Sequence, residues 1–497
     1  MQSALTNGQV IDGYLSNELS LGRVLGPLDP QSDQRLHVSR FGVIPKNHQP
    51  GKWRLILDLS FPPGSSVNDG IERELCSLKY TSVDEAVQII NKLGRGSLLA
   101  KIDVESAYRL IPVHPEDRLL LGMSWKGALY ADASLPFGLR SAPKIFNAVA
   151  DALQWIFGQE STLSIHYLDD YLLFGSPESL ECQLALDRTL ITCHRLGVPI
   201  ATHKTEGPSS QITFLGIELD TQAGILRLPH LKLVRLQREI KGWTSRKACS
   251  KRELLSLIGQ LQHACCVVKP GRSFLRRMIK LSTVAKELHH SIRLNLGFRS
   301  DLQWWSSFLS AWNGVSVTSL HPSLGWRTTI TSDASGNWGC GAFSSEGHWF
   351  QLQWPESWVP INITVKELLP IIVCVALWGR EWSGTSVRCR CDNAAVVAII
   401  RSGSCKDELA MHLLRSLFFL VATYDLKLWS VHVPGVLNGA ADALSRNDNI
   451  SFLSQVPSAL RQPDSIPLEL LDVLVIRRPD WTSVNWTELL KSTLPKD

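Results

Sequence analysis

Apolar residues at positions 142, 145, 146, 149, 153, 156 and 157 repeat with the spacing of one helix face, which predicts a helix over Ser141–Phe157. Ser141 is its expected N-cap, and Pro143 falls in the first turn, where a missing N–H costs nothing. Leu98–Val104 is a short apolar run without that period and predicts a buried strand ending at Asp103. Ile165–Phe174 predicts two short strands folded about an acidic turn, and Trp53–Leu59 alternates between turn-rich stretches. Leu231–Ile240 and Lys251–Val268 have helical spacing. From Trp326 onward the pattern predicts a strand (Thr328–Ser332), a hairpin-like stretch to Gln353, a helix (Val365–Trp378) and a strand (Val387–Cys391). Further helices, a strand (Lys427–Val433) and a short helix after Asn438 follow. Strands first and then alternating strand and helix imply a mixed α/β sheet.

Punctuation divides the 497 residues into segments ending near 96, 224 and 320, a fourth starting near Trp326, and a stretch after Arg446 with no clear domain. Hydrophobic residues at 44% and charged residues at 20% exclude a disordered, collagenous or coiled-coil chain. A net charge of +5 excludes a histone-like basic protein but allows local basic faces. The middle segment has such a face, with Arg235, Arg238, Arg272, Arg276 and Arg277 able to neutralise phosphates. Eleven cysteines without regular spacing argue for a reduced intracellular chain, and no zinc-finger spacing appears around Cys389-Arg390-Cys391, Cys265-Cys266 or His289-His290. The start lacks a signal-peptide pattern and no apolar run reaches the roughly 18 residues of a membrane span. Seventeen tryptophans, crowded between 304 and 382, mark a separate compositional zone.

The chemistry concentrates in acidic residues. Asp169 and Asp170 are adjacent in Tyr167-Leu168-Asp169-Asp170, in a turn between apolar strands where like charges repel. A divalent cation would relieve that conflict; a solvated hairpin turn is the alternative. Asp103 could meet the turn if its strand is a neighbour, and three such carboxylates can hold two metal ions for in-line phosphoryl displacement. A second set follows: Asp333 after a strand, Glu367 in the first turn of the Val365–Trp378 helix, Asp392 after the strand Val387–Cys391, and Asp442 in Asn438-Gly439-Ala440-Ala441-Asp442. These four suit a two-metal phosphodiesterase site, although Glu367 also fits a charge favoured by the helix dipole.

With Leu135-Pro136-Phe137-Gly138-Leu139-Arg140-Ser141-Ala142-Pro143, Lys52-Trp53-Arg54, Lys204 and Phe214-Leu215-Gly216 in order, the chain resembles the fingers and palm of reverse transcriptases over about residues 40–446. The match is nearest the DIRS-like and gypsy-like retroelement polymerases, and nearest of all the DIRS-like group. The resemblance implies that Asp103, Asp169 and Asp170 are the metal-binding catalytic aspartates. It implies that Tyr108 is the aromatic gate beneath the incoming sugar and that Phe137 lies beside the nucleotide. Lys52 and Arg54 would meet the triphosphate, Lys204 would be the proton donor to pyrophosphate, and Phe214-Leu215-Gly216 resembles the primer grip. A solvated surface cation is the other reading of the three basic residues. Asp333, Glu367, Asp392 and Asp442 resemble the metal-binding set of the ribonuclease H domain that follows the polymerase in retroelements. His432 invites comparison with that family's mobile histidine, but its expected place within or just after a strand favours a structural role.

The implied fold is α/β (α+β): a right-hand polymerase with fingers, palm and helical thumb, then a ribonuclease H-like mixed-sheet domain. The boundaries expected are 1–35 for an N-terminal extension, 36–224 for fingers and palm, 225–322 for thumb and connection, 323–448 for the ribonuclease H-like domain and 449–497 for a linker-like tail. The implied activities are RNA-directed DNA polymerisation and hydrolysis of RNA in RNA–DNA hybrids, with two Mg²⁺ per site or Mn²⁺ in their place. The implied partners are an RNA template, a DNA primer, RNA–DNA hybrid, dNTPs and a tyrosine recombinase of the same element, with no membrane and an intracellular place in cytoplasm or nucleus. A gypsy-like or pararetroviral polymerase, or a decayed copy that only binds nucleic acid, are the alternatives.

Overall fold

The computed structural model describes residues 2–29, 36–45, 51, 53–311, 315–316, 326–424 and 426–471. The chain divides into two compact units, residues 1–224 and 225–497.

In the first unit an antiparallel sheet orders its strands Leu163–Tyr167, Asp170–Gly175, Leu98–Asp103 and Glu206–Ser209. Ala100, Ile102, Tyr171 and Leu173 bury one face against Phe146, Ala150, Leu153 and Phe157 of the helix Ala142–Gln159. Those helix positions lie three or four residues apart, the spacing of a single stripe. Ser141 does not cap this helix: its backbone is already helical (φ −82°, ψ −14°) and its side chain makes no capping bond. Pro143 does occupy the first turn.

A second, five-stranded sheet orders Val24–Leu28, Ala128–Asp132, Gly122–Trp125, Val38–Pro45 and Trp53–Asp58. Its first strand belongs to the segment expected as an N-terminal extension. Ile11, Leu15 and Val24 share one buried cluster with Phe41, Leu57 and Met123, so residues 2–29 are integral to the unit.

After the short strand Ile225–Arg227, the second unit has helices His230–Thr244, Lys251–Ala264, Arg276–Ser282 and Leu296–Ala311. Ser250 and Glu253 close a capping box at the start of the second. Beyond them stands a mixed sheet of order Trp349–Gln353, Gly339–Ser344, Thr328–Ala334, Ser386–Cys391 and Lys427–His432. The first three strands pair antiparallel and the last three parallel. Helix Ile363–Trp378 is buried almost all round, as its nearly unbroken apolar sequence requires. Trp349, Trp358, Trp378 and Trp382 are buried in this region, which accounts for much of the tryptophan-rich zone.

The expectation of a linker-like tail from residue 449 is corrected. Helix Asn449–Gln455 inserts Phe452, fully buried, against Trp349 and Leu444. Asp464 then accepts hydrogen bonds from His348 Nδ1 and Trp378 Nε1, each 2.9 Å, and the Trp349 indole donates to the Leu460 carbonyl at 2.7 Å. Residues 472–497 lie outside the described residues.

Arg277, read as one of the basic residues able to meet phosphate, also approaches a buried carboxylate. Its guanidinium lies 3.8 Å from Oδ1 of Asp301, which is fully buried in Leu296–Ala311, and Arg415 Nε lies 3.7 Å from the same oxygen. Arg415 in turn donates to the Ser273 carbonyl at 3.2 Å, joining helix Glu408–Thr423 to the helical segment. Removing one member of such a cluster leaves a buried charge uncompensated. Asp301→Ala should therefore lower the unfolding free energy of the second unit by about 3–5 kcal/mol, measured by denaturant titration. A loss within error would show that the three charges are compensated elsewhere. Arg276 is exposed; if this segment follows phosphates as the resemblance implies, Arg276→Ala alone should flatten the log–log salt dependence of hybrid binding by about one unit. An unchanged slope and affinity would remove it from the nucleic-acid face.

Candidate active sites

Strand pairing brings the first acidic set together. Asp103 ends its strand directly opposite Asp170, and the Val104 amide donates to the Asp169 carbonyl at 3.0 Å. The turn between Tyr167 and Asp170 needs Leu168 at φ +56°, which holds Asp169 at its tip. Burial, then the charges of Asp169 and Asp103, push the Asp170 carboxyl up to about 6. Asp169 is raised as well, by burial and then Asp103. Lys204 Nζ lies 2.8 and 2.9 Å from the two oxygens of Asp103. Partial burial alone would lower that lysine, but the bond to Asp103 and the three carboxylate charges hold it above the ordinary range. A cluster that raises its own carboxyls and draws a lysine onto one of them fits cation binding.

Aromatic rings border this cluster. Tyr108 lies 5.1 Å from Phe137 and 5.7 Å from Phe146, and burial, then the Asp169 charge, push its phenol up to about 12. Tyr80 stacks on Tyr167 at 5.0 Å. Sequence reasoning missed Tyr80, which lies in a segment with no periodic signal and meets the turn only in the fold.

The loop carrying Phe137 is pinned by Asn68, whose side chain donates to the Gly138 carbonyl (2.9 Å) and accepts from the Arg140 amide (2.7 Å). Gly138 has φ +98°, and a Cβ there would stand 2.7 Å from the Leu57 carbonyl oxygen, so only glycine fits. Phe137 itself is about half exposed. Phe214 ends the strand Gln211–Phe214 and is buried; Leu215 and Gly216, both at positive φ, form the two-residue turn to Ile217–Asp220. Arg54 lies in the strand Trp53–Asp58, paired with Ile44, whereas Lys52 lies outside the described residues.

The second acidic set lines a cavity of about 490 Å³ together with residues 334–338 and Arg446. Asp333 lies within its strand, opposite Gly341. A Cβ at Gly341 would fall 2.5 Å from Leu444 Cβ, so this glycine lets helix Gly439–Ser445, which carries Asp442, lie on the sheet. Asp442 is half exposed and pairs with Arg446 at 2.8 Å. Glu367 is the fifth residue of a helix that starts at Ile363 under an Asn362 cap, so it is not in the first turn as expected. The first-turn dipole therefore does not explain it.

Burial, then Asp333 and Asp392, push the Glu367 carboxyl up to about 9. Asp333 is raised to about 6 by burial, against a hydrogen bond from Ser445. The fully buried Cys391 places Sγ 3.9 Å from Glu367, and one ligand atom each of Glu367, Cys391 and Asp392 lie within 4.8 Å of one another. Cys391 had no assigned role in the sequence reading. Two further buried residues escaped it as functional side chains. Asn438 donates to Asp333 (3.3 Å) and to the Ser332 carbonyl (3.2 Å), and Lys366 donates to the carbonyls of Gly336 and Val359. His432 ends its strand, exposed, with Nε2 3.0 Å from the Asp392 carbonyl oxygen.

Because the folded Glu367 carboxyl titrates far above its ordinary 4.5, folding takes up a proton there, and stability falls as pH rises from about 4.5 to about 9. Glu367→Gln escapes that loss. At pH 8 without metal it should be more stable than the parent by at least about 1 kcal/mol, one pKa unit being 1.36 kcal/mol, and the gain should fade toward pH 5. Equal stability at both pH values would refute the buried-carboxyl reading.

Residues 44–219 match the family model described as reverse transcriptase (RNA-dependent DNA polymerase). Over 180 residues the chain is 27% identical to the Pro-Pol polyprotein of Simian foamy virus type 1, covering 36% of the chain and 14% of the polyprotein. Residues 44–219 form a reverse transcriptase domain of the retroviral and retrotransposon Pol type. Over 129 residues the chain is 29% identical to the Pol polyprotein of transposon gypsy from Drosophila melanogaster, covering 26% and 12%. Over 137 residues it is 27% identical to the genome polyprotein of Petunia vein clearing virus, covering 27% and 6%. The chain thus spans 6–14% of the length of these relatives.

Two solved structures share the fold. The foamy viral protease-reverse transcriptase with double-stranded DNA aligns at TM-score 0.51 and 15% identity, over 86% of this chain and 69% of that one. The same protein with an RNA/DNA hybrid aligns at 0.50 and 15%, over 92% and 56%. The architecture is a polymerase fold followed by a ribonuclease H-like domain.

Proposed function

We propose that this protein is an RNA-directed DNA polymerase with ribonuclease H activity, from a retrotransposon. The observation that carries the reading is the meeting of Asp103 with Asp169 and Asp170 across one strand pair, bordered by Tyr108 and Phe137. Asp103, Asp169 and Asp170 would hold Mg²⁺ in the first site, and Asp333, Glu367, Asp392 and Asp442 in the second, with Mn²⁺ as a substitute. Bound there, the ions would supply Lewis-acid activation of a primer 3′-OH or a water and neutralise phosphate charge. Tyr108 and Phe137 bound the sugar and base of the incoming dNTP, Arg54 and Lys52 orient its triphosphate, and Lys204 carries a proton toward the leaving pyrophosphate. Asn438 fixes Asp333 and Lys366 fixes the loop at Gly336, which keeps the second site in shape.

RNA template, DNA primer and RNA–DNA hybrid are the proposed partners. The alignment with foamy viral structures determined with double-stranded DNA and with RNA/DNA hybrid supports this. The exposed Arg238, Arg272 and Arg276 of the helical segment, read as a thumb, would follow the phosphates. No described helix is long and apolar enough to cross a membrane. The polymerase reading itself implies a place inside the cell, in cytoplasm or nucleus. The DIRS-like placement rests on the motif strings. Finding a tyrosine recombinase gene in the same element would support it, and finding an integrase gene would overturn it. Mg²⁺-dependent primer extension on an RNA template is the direct test, with hybrid cleavage measured in parallel. Tight nucleic-acid binding with neither reaction would make this a binding protein only.

A further inference from the structure

Arg109, the residue after Tyr108, is buried, and its guanidinium reaches three separate parts of the first unit. Nε donates to Glu18 at 2.9 Å, Nη1 to the Ser134 carbonyl at 3.0 Å, and Nη2 to the Arg23 carbonyl at 3.2 Å. Nη2 also pairs with Glu18 at 2.8 Å and Asp132 at 2.7 Å. Glu18, equally buried, stands near the end of helix Gly8–Ser20, within residues 2–29 and outside the stretch that matches the polymerase family. A fork bonded on all sides is rigid, because moving it would strand a charge in the interior.

Arg109 shares the short helical turn Ala107–Leu110 with Tyr108, and that turn is entered through Ser106 in the left-handed region (φ +56°). Ser134, which accepts from the same guanidinium, stands three residues before Phe137. The two rings that lie 5.1 Å apart are thus both one short backbone link from a single arginine.

We propose that Glu18 and Arg109 are positioning residues for sugar selection: the N-terminal helix, through this ion pair, fixes the backbone that carries Tyr108 and the loop that carries Phe137. The inference rests on the polymerase reading above. Losing Glu18 releases one end of the clamp, so the Tyr108 ring gains freedom and a 2′-hydroxyl is tolerated.

The test measures kcat/KM for a matched dNTP and rNTP on a primed RNA template, with thermal unfolding of each variant. Glu18→Ala should cut the deoxy-to-ribo preference by about fivefold or more, equivalent to about 1 kcal/mol, mainly through a higher kcat/KM for rNTP. Glu18→Gln retains an acceptor for Nε and should recover part of the preference. Asp12→Asn loosens the same helix elsewhere, where Asp12 holds Trp125 (2.7 Å) and Lys126 (2.8 Å), and should leave the ratio unchanged. A folded Glu18→Ala with the parental ratio overturns the inference. If that variant does not fold, a parental ratio in Glu18→Gln does so. A ratio that falls equally in Asp12→Asn also overturns it, by showing general loosening. Failure of the parent to extend any primer would overturn the polymerase reading itself, and is seen before any variant is compared.

Discussion

Asp169→Asn should abolish primer extension and leave hybrid cleavage at the parental rate, while Asp392→Asn should do the reverse. Asp169 stands with Asp103 and Asp170 in the first unit, whereas Asp392 stands with Asp333 and Glu367 in the second. No carboxylate is shared. Asparagine keeps the size of each side chain but removes the charge that would hold a divalent cation, so the loss should be on the order of 10³-fold or more, about 4 kcal/mol of barrier. Folding should survive, because relieving repulsion in a crowded acidic cluster removes a destabilising term. Rates are measured on one primed RNA template and one preformed hybrid, with unfolding temperatures as the control. Polymerisation lost in a well-folded Asp392→Asn protein would sink the division into two sites. A residual rate within tenfold of the parent in either variant would take that carboxylate out of the catalytic set.

What the sequence made legible was local. Two strands about Leu168–Asp169 follow from apolar runs interrupted by charge, and the helix Ala142–Gln159 follows from its 3.6-residue stripe. Carboxylates at strand ends could be named individually, because a charge that closes an apolar run is conspicuous. Features made by distant residues were not legible. Glu18 and Arg109 are 91 positions apart, and nothing in either neighbourhood marks it as buried. Arg277 read as one member of a basic string, but its partner Asp301 sits on another helix. Residues 449–464 lacked a long periodic run, yet one phenylalanine and one aspartate, received by Trp349, His348 and Trp378, suffice to anchor them. The Ser141 cap failed for a different reason. The side chain has the right chemistry, but its backbone has already turned helical, and a cap needs extended geometry.

Tyr108→Val should admit ribonucleotides while largely preserving deoxynucleotide incorporation. The tyrosine is half-buried: it rests against Phe146 and meets Phe137, and it feels the charge of Asp169, so it packs on the core and borders the acidic cluster. Its place in the Ala107–Leu110 turn is fixed by backbone bonds, including Arg109 N to Ser106 O (2.7 Å) and Ile111 N to Tyr108 O (3.1 Å). Valine does not disturb those bonds. It removes the flat ring on which the sugar would lie, together with the steric barrier to a C2′ hydroxyl. With tyrosine present, that hydroxyl would also give up water without gaining a partner, a further penalty on the ribose. Each ~1.4 kcal/mol of the combined difference is about tenfold in discrimination, and the loss of both terms should lower the deoxy-to-ribo ratio by about ten- to a hundredfold. The ratio of kcat/KM values on one RNA template is the measurement. Loss of Phe146 and Phe137 contacts should cost some stability, which an unfolding curve separates from the selectivity change. If the ratio holds while both activities fall together, Tyr108 packs the palm and another residue reads the sugar.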